Sequence, residues 1–190
     1  GTTKGIGGEF LNVLQRCEAL LLVVRAFEDP AVPHTESFVD PFRDAENLQM
    51  ELMFSDLSLL ERRTQRIETQ MRSAKASDRE GLQRENALIV QIREQLENEI
   101  PVREHQLPPA AQPLLENFQL LSAKPLMIVF NIDETSVNET ETIETKMAAS
   151  FSRPHVGVAA VSGKLEVELG QMDPEEELEF RDSLGAGSCN

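Results

Sequence analysis

LMIVFNIDE, residues 126–134, is an apolar strand that runs directly into a polar loop. VGVAAVSGKL, residues 156–165, repeats this arrangement further along the chain. The flanking segments alternate between helical periodicity and apolar runs of strand length, which predicts helices and strands in turn. Such alternation predicts an α/β fold with a parallel sheet covered on both faces. The predicted elements are a helix at Glu9–Glu18, strands at Ala19–Val24, Pro125–Phe130 and Val156–Val161, and helices near Asn138–Ser150 and Pro174–Leu184.

The two polar loops suggest a purine-binding site. A P-loop nucleotide-binding fold grips a purine base with an Asn-x-x-acid loop after one parallel strand and a Ser-Ala-Lys-like loop after the next. The chain has no Gly-x-x-x-x-Gly-Lys-Ser/Thr motif, so the loop that cradles phosphates is missing from this sequence. We therefore expect part of a nucleotide hydrolase, with a base site formed by Asn131, Ile132, Glu134, Ser162, Gly163 and Lys164.

Composition narrows the class of protein. With 190 residues, 40% of them hydrophobic, the chain can form one ordinary domain or one domain with an elongated insertion. Its 18 basic and 33 acidic residues give a net charge of -15, which opposes broad adhesion to nucleic acid or to an anionic membrane. The 2 cysteines suggest no disulfide framework, and no apolar run is long enough to cross a bilayer. We expect a cytoplasmic protein with no membrane contact.

The middle of the chain has the pattern of a helical hairpin. Asp40-Pro41 is a helix start, and Ser77-Asp78-Arg79-Glu80 resembles a capping box that starts a second helix after a short turn. The short turn predicts that the two helices pack antiparallel as a coiled-coil hairpin that projects from the sheet domain and interrupts it in sequence. The predicted division is therefore 1–40, 41–122 and 123–190. The seam residues are Met53, Leu57, Leu60, Thr64, Ile67 and Met71 on the first helix and Leu82, Ile89, Ile92 and Leu96 on the second.

Basic residues are concentrated toward the predicted tip of this hairpin. A solvated charged face would explain them, and so would a docking surface for RNA or a ribosomal partner, in which guanidinium groups pair with phosphates. Both interpretations stay open at this point. The residues are Arg62, Arg63, Arg66, Arg72, Lys75, Arg79 and Arg84.

Several blocks in order resemble the YchF subfamily of Obg-like ATPases. They are Lys4–Leu11, Val23–Asp29, Val39–Asp44 and Ala123–Pro125, together with the two base loops, and they cover nearly the whole chain. The resemblance implies a P-loop G domain with an inserted antiparallel coiled coil, followed by a small TGS domain. It also implies hydrolysis of ATP or GTP with Mg²⁺, and a switch that associates with ribosomes or responds to stress. The P-loop, the magnesium ligands and the TGS domain would lie outside this chain, which alone should be inactive and which supplies no metal ligand.

The base loop departs from that of ordinary GTPases. In an Asn-Lys-x-Asp loop the Asp accepts from two guanine N–H groups and so rejects adenine. Ile132 replaces the Lys here, and the longer Glu134 replaces the Asp, so we expect ATP to be preferred over GTP. Asn131 should brace the loop and bond the N7 edge of the purine. The backbone amides of Ser162 and Gly163 should face the exocyclic group.

His34 is the candidate catalytic residue. The resemblance places a histidine in this loop and implicates it in hydrolysis, where His34 would orient the attacking water or stabilise charge on the γ-phosphate. A structural or merely exposed histidine is the alternative.

Two other functions also stay open for the chain. One is a helical protein-interaction module with a degenerate nucleotide site, and the other is a GTPase that differs only in its nucleotide.

Overall fold

The computed structural model describes residues 8–32 and 38–184. Within those residues three strands form one sheet in the order β1 (Leu20–Ala26), β2 (Leu126–Ile132) and β3 (Val156–Val161). β2 and β3 pair in parallel, with Leu126 opposite Val156 and Asn131 opposite Val161. Because the strands are parallel and in this register, their carboxyl ends and the two base loops reach the same edge of the sheet. The predicted α/β fold is confirmed.

Helices fill most of the remaining described chain. The predicted helices are present, and two short helices that the sequence pattern did not predict, α4 and α6, join them. Short 3-10 turns lie at Val102–Glu104, Pro109–Ala111, Leu121–Ala123 and Glu134–Glu139. The helices are α1 (Gly8–Arg16), α2 (Pro41–Ser73), α3 (Ala76–Glu97), α4 (Gln112–Phe118), α5 (Thr140–Ser150), α6 (Gly163–Leu169) and α7 (Pro174–Leu184).

The chain forms two compact units. Among the described residues, the first unit holds 8–20 and 47–125, and the second holds 21–32, 38–46 and 126–184. The division at residues 40 and 122 that the sequence suggested stays a prediction.

The first unit is built on the hairpin of α2 and α3. Met53, Leu60 and Ile67 of α2 are buried, as are the α3 seam residues Ile89, Ile92 and Leu96, whereas Leu57, Met71 and Leu82 are half-buried beside them. Only Ala74 and Lys75 separate the two helices, so the helices must run antiparallel to make these contacts. Their mutual burial accounts for the heptad spacing that the sequence shows.

The two helix starts of the hairpin differ from each other. α2 begins as predicted, because the Asp40 carboxylate accepts a hydrogen bond from the Arg43 backbone N–H at 3.1 Å. The predicted capping box of α3 is wrong. α3 begins at Ala76 after Lys75, so Ser77 already lies in its first turn, where the hydroxyl donates to the Asp78 carboxylate instead.

A buried carboxylate holds the turn Leu121–Ala123 against α2. Asp56 is 1% exposed, and its oxygens accept from the backbone N–H groups of Leu121 at 2.8 Å and Ser122 at 2.7 Å. Burial raises the pKa of Asp56 to about 6, against the opposing effect of these hydrogen bonds. Lys124 extends the network, since its ammonium donates to the backbone carbonyls of Gln15 and Cys17 at the end of α1. These contacts fix the chain that leads into β2.

The second unit has an aromatic core. The rings of Phe42, Phe130 and Phe151 lie 6.0 to 6.4 Å apart between centroids, and Phe130 is fully buried. Gly157 lies opposite Met127 in the register, and a Cβ at Gly157 would come within 2.7 Å of the Met127 sulfur, so no larger residue fits there without a shift. Across residues 8–32 and 38–184, no helix combines the length and apolar character that crossing a bilayer requires.

Candidate purine-binding site

The two base loops are joined by one hydrogen bond. The side-chain carbonyl Oδ1 of Asn131 accepts from the backbone N–H of Gly163 at 2.9 Å. Asn131 is the penultimate residue of β2 and Gly163 the first residue of α6, so the contact depends on the parallel pairing of β2 with β3. Asn131 thus contacts the second loop, and none of the described residues pairs with its amide N–H₂ group.

Asp133 shapes the first loop. Its carboxylate accepts from both the backbone N–H (2.9 Å) and the hydroxyl (2.7 Å) of Thr135. These hydrogen bonds lower the pKa of Asp133, and they start the 3-10 turn Glu134–Glu139. The loop therefore turns sharply after β2, which leaves the neighbouring Glu134 at the surface.

Glu134 and Lys164 form an ion pair across the two loops. The Lys164 ammonium donates to Oε1 of Glu134 at 2.9 Å, and this carboxylate raises the pKa of Lys164. The side chains are 40% and 67% exposed, so the pair contributes little stability, and in this structure it directs Oε1 of Glu134 toward Lys164. One oxygen is engaged by Lys164, and the other remains available to a ligand.

Two of the predicted site residues are buried. Ile132 is 4% exposed and continues the buried face of β2, so its side chain packs in the interior. Ser162 is 5% exposed, and its hydroxyl has no hydrogen-bond partner among the described residues. The side chains of Asn131, Glu134 and Lys164 are the predicted ones that a base could reach.

One expected interaction differs in the structure. The Gly163 amide was expected to face the exocyclic group of the base, but it donates to Asn131 instead. A Cβ at Gly163 would lie 3.2 Å from Oδ1 of Asn131, so a larger residue there would require the Asn131 side chain to shift slightly. The spacing of residues in the sequence cannot reveal this change of hydrogen-bond partner, because the contact depends on where β3 ends relative to β2.

His34 lies outside the described residues, so its predicted catalytic role stays a prediction. Among residues 8–32 and 38–184 no group of three His, Cys, Asp or Glu side chains could hold a metal ion.

The basic residues of the hairpin fall into two groups along the helices. Arg62, Arg63 and Arg66 line a groove within the first unit, whereas Arg72, Lys75 and Arg79 lie at or beside the turn between α2 and α3. Arg63 is paired with Glu85 of α3, with Nη2 and Oε2 2.8 Å apart. The sequence analysis grouped these residues as one basic surface. Their positions along the folded helices show instead that they form two groups, one in the groove and one at the turn.

No protein-family model matches the chain, but comparison with known proteins finds sequences that are similar to it. The chain is 29% identical over 184 residues to the ribosome-binding ATPase YchF of Bacillus subtilis, which is 96% of this chain and 49% of that protein. It is 28% identical over 179 residues to Obg-like ATPase 1 of Oryza sativa subsp. indica, which is 93% of this chain and 45% of that protein. The chain thus spans about half the length of the curated relatives it matches.

A solved structure has the same fold. The structure of the Schizosaccharomyces pombe YchF GTPase superposes with a TM-score of 0.81 at 24% identity, covering 99% of this chain and 52% of that one. Together with the curated relatives, it confirms the resemblance that the sequence blocks indicate.

Proposed function

Because this chain is a relative of the YchF subfamily of Obg-like ATPases, we propose that it supplies the purine-binding part of a nucleotide-hydrolysing switch protein. The hydrogen bond from Gly163 to Asn131 is the observation that carries this proposal. It joins the two loops that hold a base in P-loop proteins, and it leaves the Asn131 amide group free to donate to N7 of a purine.

The same contacts favour ATP over GTP. Guanine offers a carbonyl oxygen at position 6 and two adjacent N–H donors, so its recognition requires a free amide donor and a carboxylate with both oxygens available. The Gly163 amide is occupied by Asn131, and one oxygen of Glu134 is occupied by Lys164. Adenine offers an amino group at position 6 and needs only one acceptor there. The remaining Glu134 oxygen can accept from the amino group of adenine, whereas bound guanine would have an N–H donor without an acceptor.

The phosphate chemistry would depend on residues beyond those described. In the complete protein we propose that a P-loop and Mg²⁺ hold the phosphates, since neither the motif nor a metal cluster is found among the described residues. His34 is proposed to position the attacking water. Positioning and charge stabilisation account for most phosphoryl-transfer catalysis, so this chain alone should hydrolyse ATP very slowly if at all.

We also propose a cytoplasmic protein that associates with ribosomes. The proposal is supported by the name of the Bacillus subtilis relative, a ribosome-binding ATPase. Arg72, Lys75 and Arg79, at or beside the hairpin turn, are the proposed contacts to ribosomal RNA. Co-sedimentation of the complete protein with ribosomes, with and without ATP, tests this part.

Calorimetric titration of ATP and of GTP into the complete protein, with Mg²⁺ present, tests the base site. We expect ATP to bind more tightly than GTP, and Asn131→Ala to abolish or strongly weaken binding. Asn138→Ala serves as the matched control, because Asn138 is exposed and does not join the two loops. No binding of either nucleotide would contradict the proposal and would favour the helical interaction module.

A further inference from the structure

A groove of about 1190 Å³ lies within the first unit, outside the purine-binding site. Residues of α1, α2 and α4 form most of its lining. Its apolar part consists of Leu11, Leu59, Leu114 and Phe118, all of them half-buried. Three of these, Leu59, Leu114 and Phe118, pack against the hairpin core, so the apolar lining has a rigid support. We call this feature the hairpin groove.

Two unpaired cations line the same groove. Arg62 and Arg66 lie one helical turn apart on α2 and are exposed. Neither makes a hydrogen bond or ion pair with any residue in the described part of the chain. Arg63 differs, because the Glu85 carboxylate accepts from two of its guanidinium nitrogens and neutralises it. Glu9 is the other acidic lining residue. In a chain of net charge -15, these two guanidinium groups give the groove a local positive charge beside its apolar side chains.

The size and chemistry of the groove indicate its occupant. Small-molecule pockets typically enclose about 300 to 1,000 Å³, so a groove of about 1190 Å³ is large enough for a peptide segment. RNA phosphates could pair with Arg62 and Arg66, but they would leave the apolar side chains of the groove without partners. A peptide with both carboxylates and apolar side chains would pair with the two arginines and also cover the apolar side chains.

We propose that the hairpin groove docks an acidic amphipathic segment of a partner protein. Carboxylates of that segment pair with Arg62 and Arg66, and its leucine or aromatic side chains contact Leu59, Leu114 and Phe118. This interaction is separate from nucleotide binding and does not require the base site.

The chain offers a matched control on the same hairpin. Arg72 and Arg79 are exposed and do not line the groove. Arg72 is six residues beyond Arg66 on α2, a rise of about 9 Å along the helix. Reversing both charges at these positions changes the net charge as much as reversing Arg62 and Arg66 does. A difference in peptide affinity between the two double variants therefore reflects the groove and not the net charge of the protein.

The test is a selection of random 16-residue peptides displayed on phage against the complete protein. We expect enrichment of peptides that combine Asp or Glu with Leu or Phe. Fluorescence anisotropy with an enriched synthetic peptide should show roughly tenfold weaker binding for each arginine reversed in Arg62→Glu and Arg66→Glu. The variant with Arg72→Glu and Arg79→Glu should change affinity less than about twofold. Arg62→Gln with Arg66→Gln repeats the test without introducing negative charge, and circular dichroism checks the fold of each variant.

Four binding results would overturn the proposal, and a fifth result, on self-association, would do so as well. They are no enriched peptide, enriched peptides without carboxylates, peptides that bind the Arg62→Glu/Arg66→Glu variant as well as the unaltered protein, and a ribosomal RNA fragment that loses affinity in that variant more than in the control. Self-association abolished by the same variant would also overturn it. The occupant would then be a second copy, for which the acidic helix α7, with exposed Leu178 and Phe180, is suited.

Discussion

The carbonyl Oδ1 of Asn131 and the backbone amide of Gly163 lie 2.9 Å apart, so a side chain at the end of β2 holds the first residue of α6. This contact connects two loops that are separated in the chain by α5 and β3. The geometry of the site therefore depends on the pairing of β2 with β3, because this pairing sets the position of one loop relative to the other.

Asn131→Ala should weaken nucleotide binding to the complete protein at least tenfold. The substitution removes the brace to Gly163 and also the amide group proposed to contact the purine. Calorimetry with ATP measures the change, and Asn138→Ala should leave the affinity unaltered. Equal affinity in Asn131→Ala and the unaltered protein would show that the base binds elsewhere.

Gly163→Ala should weaken ATP binding by roughly threefold to tenfold while the protein stays folded. The added methyl group meets Oδ1 of Asn131 at 3.2 Å, so the brace must shift or lengthen. Gly81→Ala is the control on α3, where nothing lies within 4 Å of the added Cβ. It should raise the free energy of unfolding by up to about 1 kcal/mol, because alanine is the better helix former. Unchanged ATP affinity in Gly163→Ala would contradict the proposed bracing role.

Glu134→Asp should shift preference toward GTP. The shorter side chain cannot reach Lys164 as Glu134 does, so both of its oxygens become available to the two N–H donors of guanine. Competition between labelled ATP and unlabelled GTP measures the ratio of affinities, which should change in favour of GTP by several-fold. If the ratio does not move, the Glu134 carboxylate does not select the base.

Ile132→Lys should destabilise the protein instead of restoring guanine recognition. Sequence comparison with Asn-Lys-x-Asp loops suggests this exchange, but Ile132 is 4% exposed in the interior. An ammonium group there loses its hydration, at a cost on the order of several kcal/mol. Thermal unfolding followed by circular dichroism measures the loss. A melting temperature within a degree or two of that of the unaltered protein would mean that the side chain can turn outward.

Asp56→Asn should change how stability depends on pH. The pKa of Asp56 is raised from 3.8 to about 6, so the folded state holds this proton more tightly than the unfolded state does. The contribution of Asp56 to stability is therefore largest below pH 3.8, and it declines as the pH rises from there through about 6. Urea unfolding at pH 5 and pH 7.5 measures the effect. The unaltered protein should gain about 1 kcal/mol relative to Asp56→Asn on going from pH 7.5 to pH 5.

The control for this comparison is Glu94→Gln, which removes an exposed carboxylate from α3. Its stability should follow that of the unaltered protein across the same pH range. A relative gain in the opposite direction for Asp56→Asn would mean that the hydrogen bonds from Leu121 and Ser122 outweigh burial and hold the pKa low.

Local patterns predicted most of the elements. Strand Val156–Val161 and helix Pro174–Leu184 occur at the residues that the apolar runs and helical spacing indicate. α6 was missed because Gly163–Leu169 is only 7 residues long, although Leu165 and Leu169 recur at helical spacing and both are buried. The start of α3 was misplaced by two residues, because the helix begins after Lys75 without any side-chain cap.

The sequence by itself determined which residue types follow each strand and the order of helices and strands, because apolar periodicity and turn chemistry are local properties. Only the tertiary structure decided that Gly163 bonds Asn131, that Ile132 points inward, and that Arg62 and Arg66 line a groove apart from the hairpin tip. These relationships depend on strand register and helix packing, which join residues far apart in the chain. The chemistry of the site follows from those contacts, since a donor already engaged by a neighbouring side chain is no longer available to a ligand.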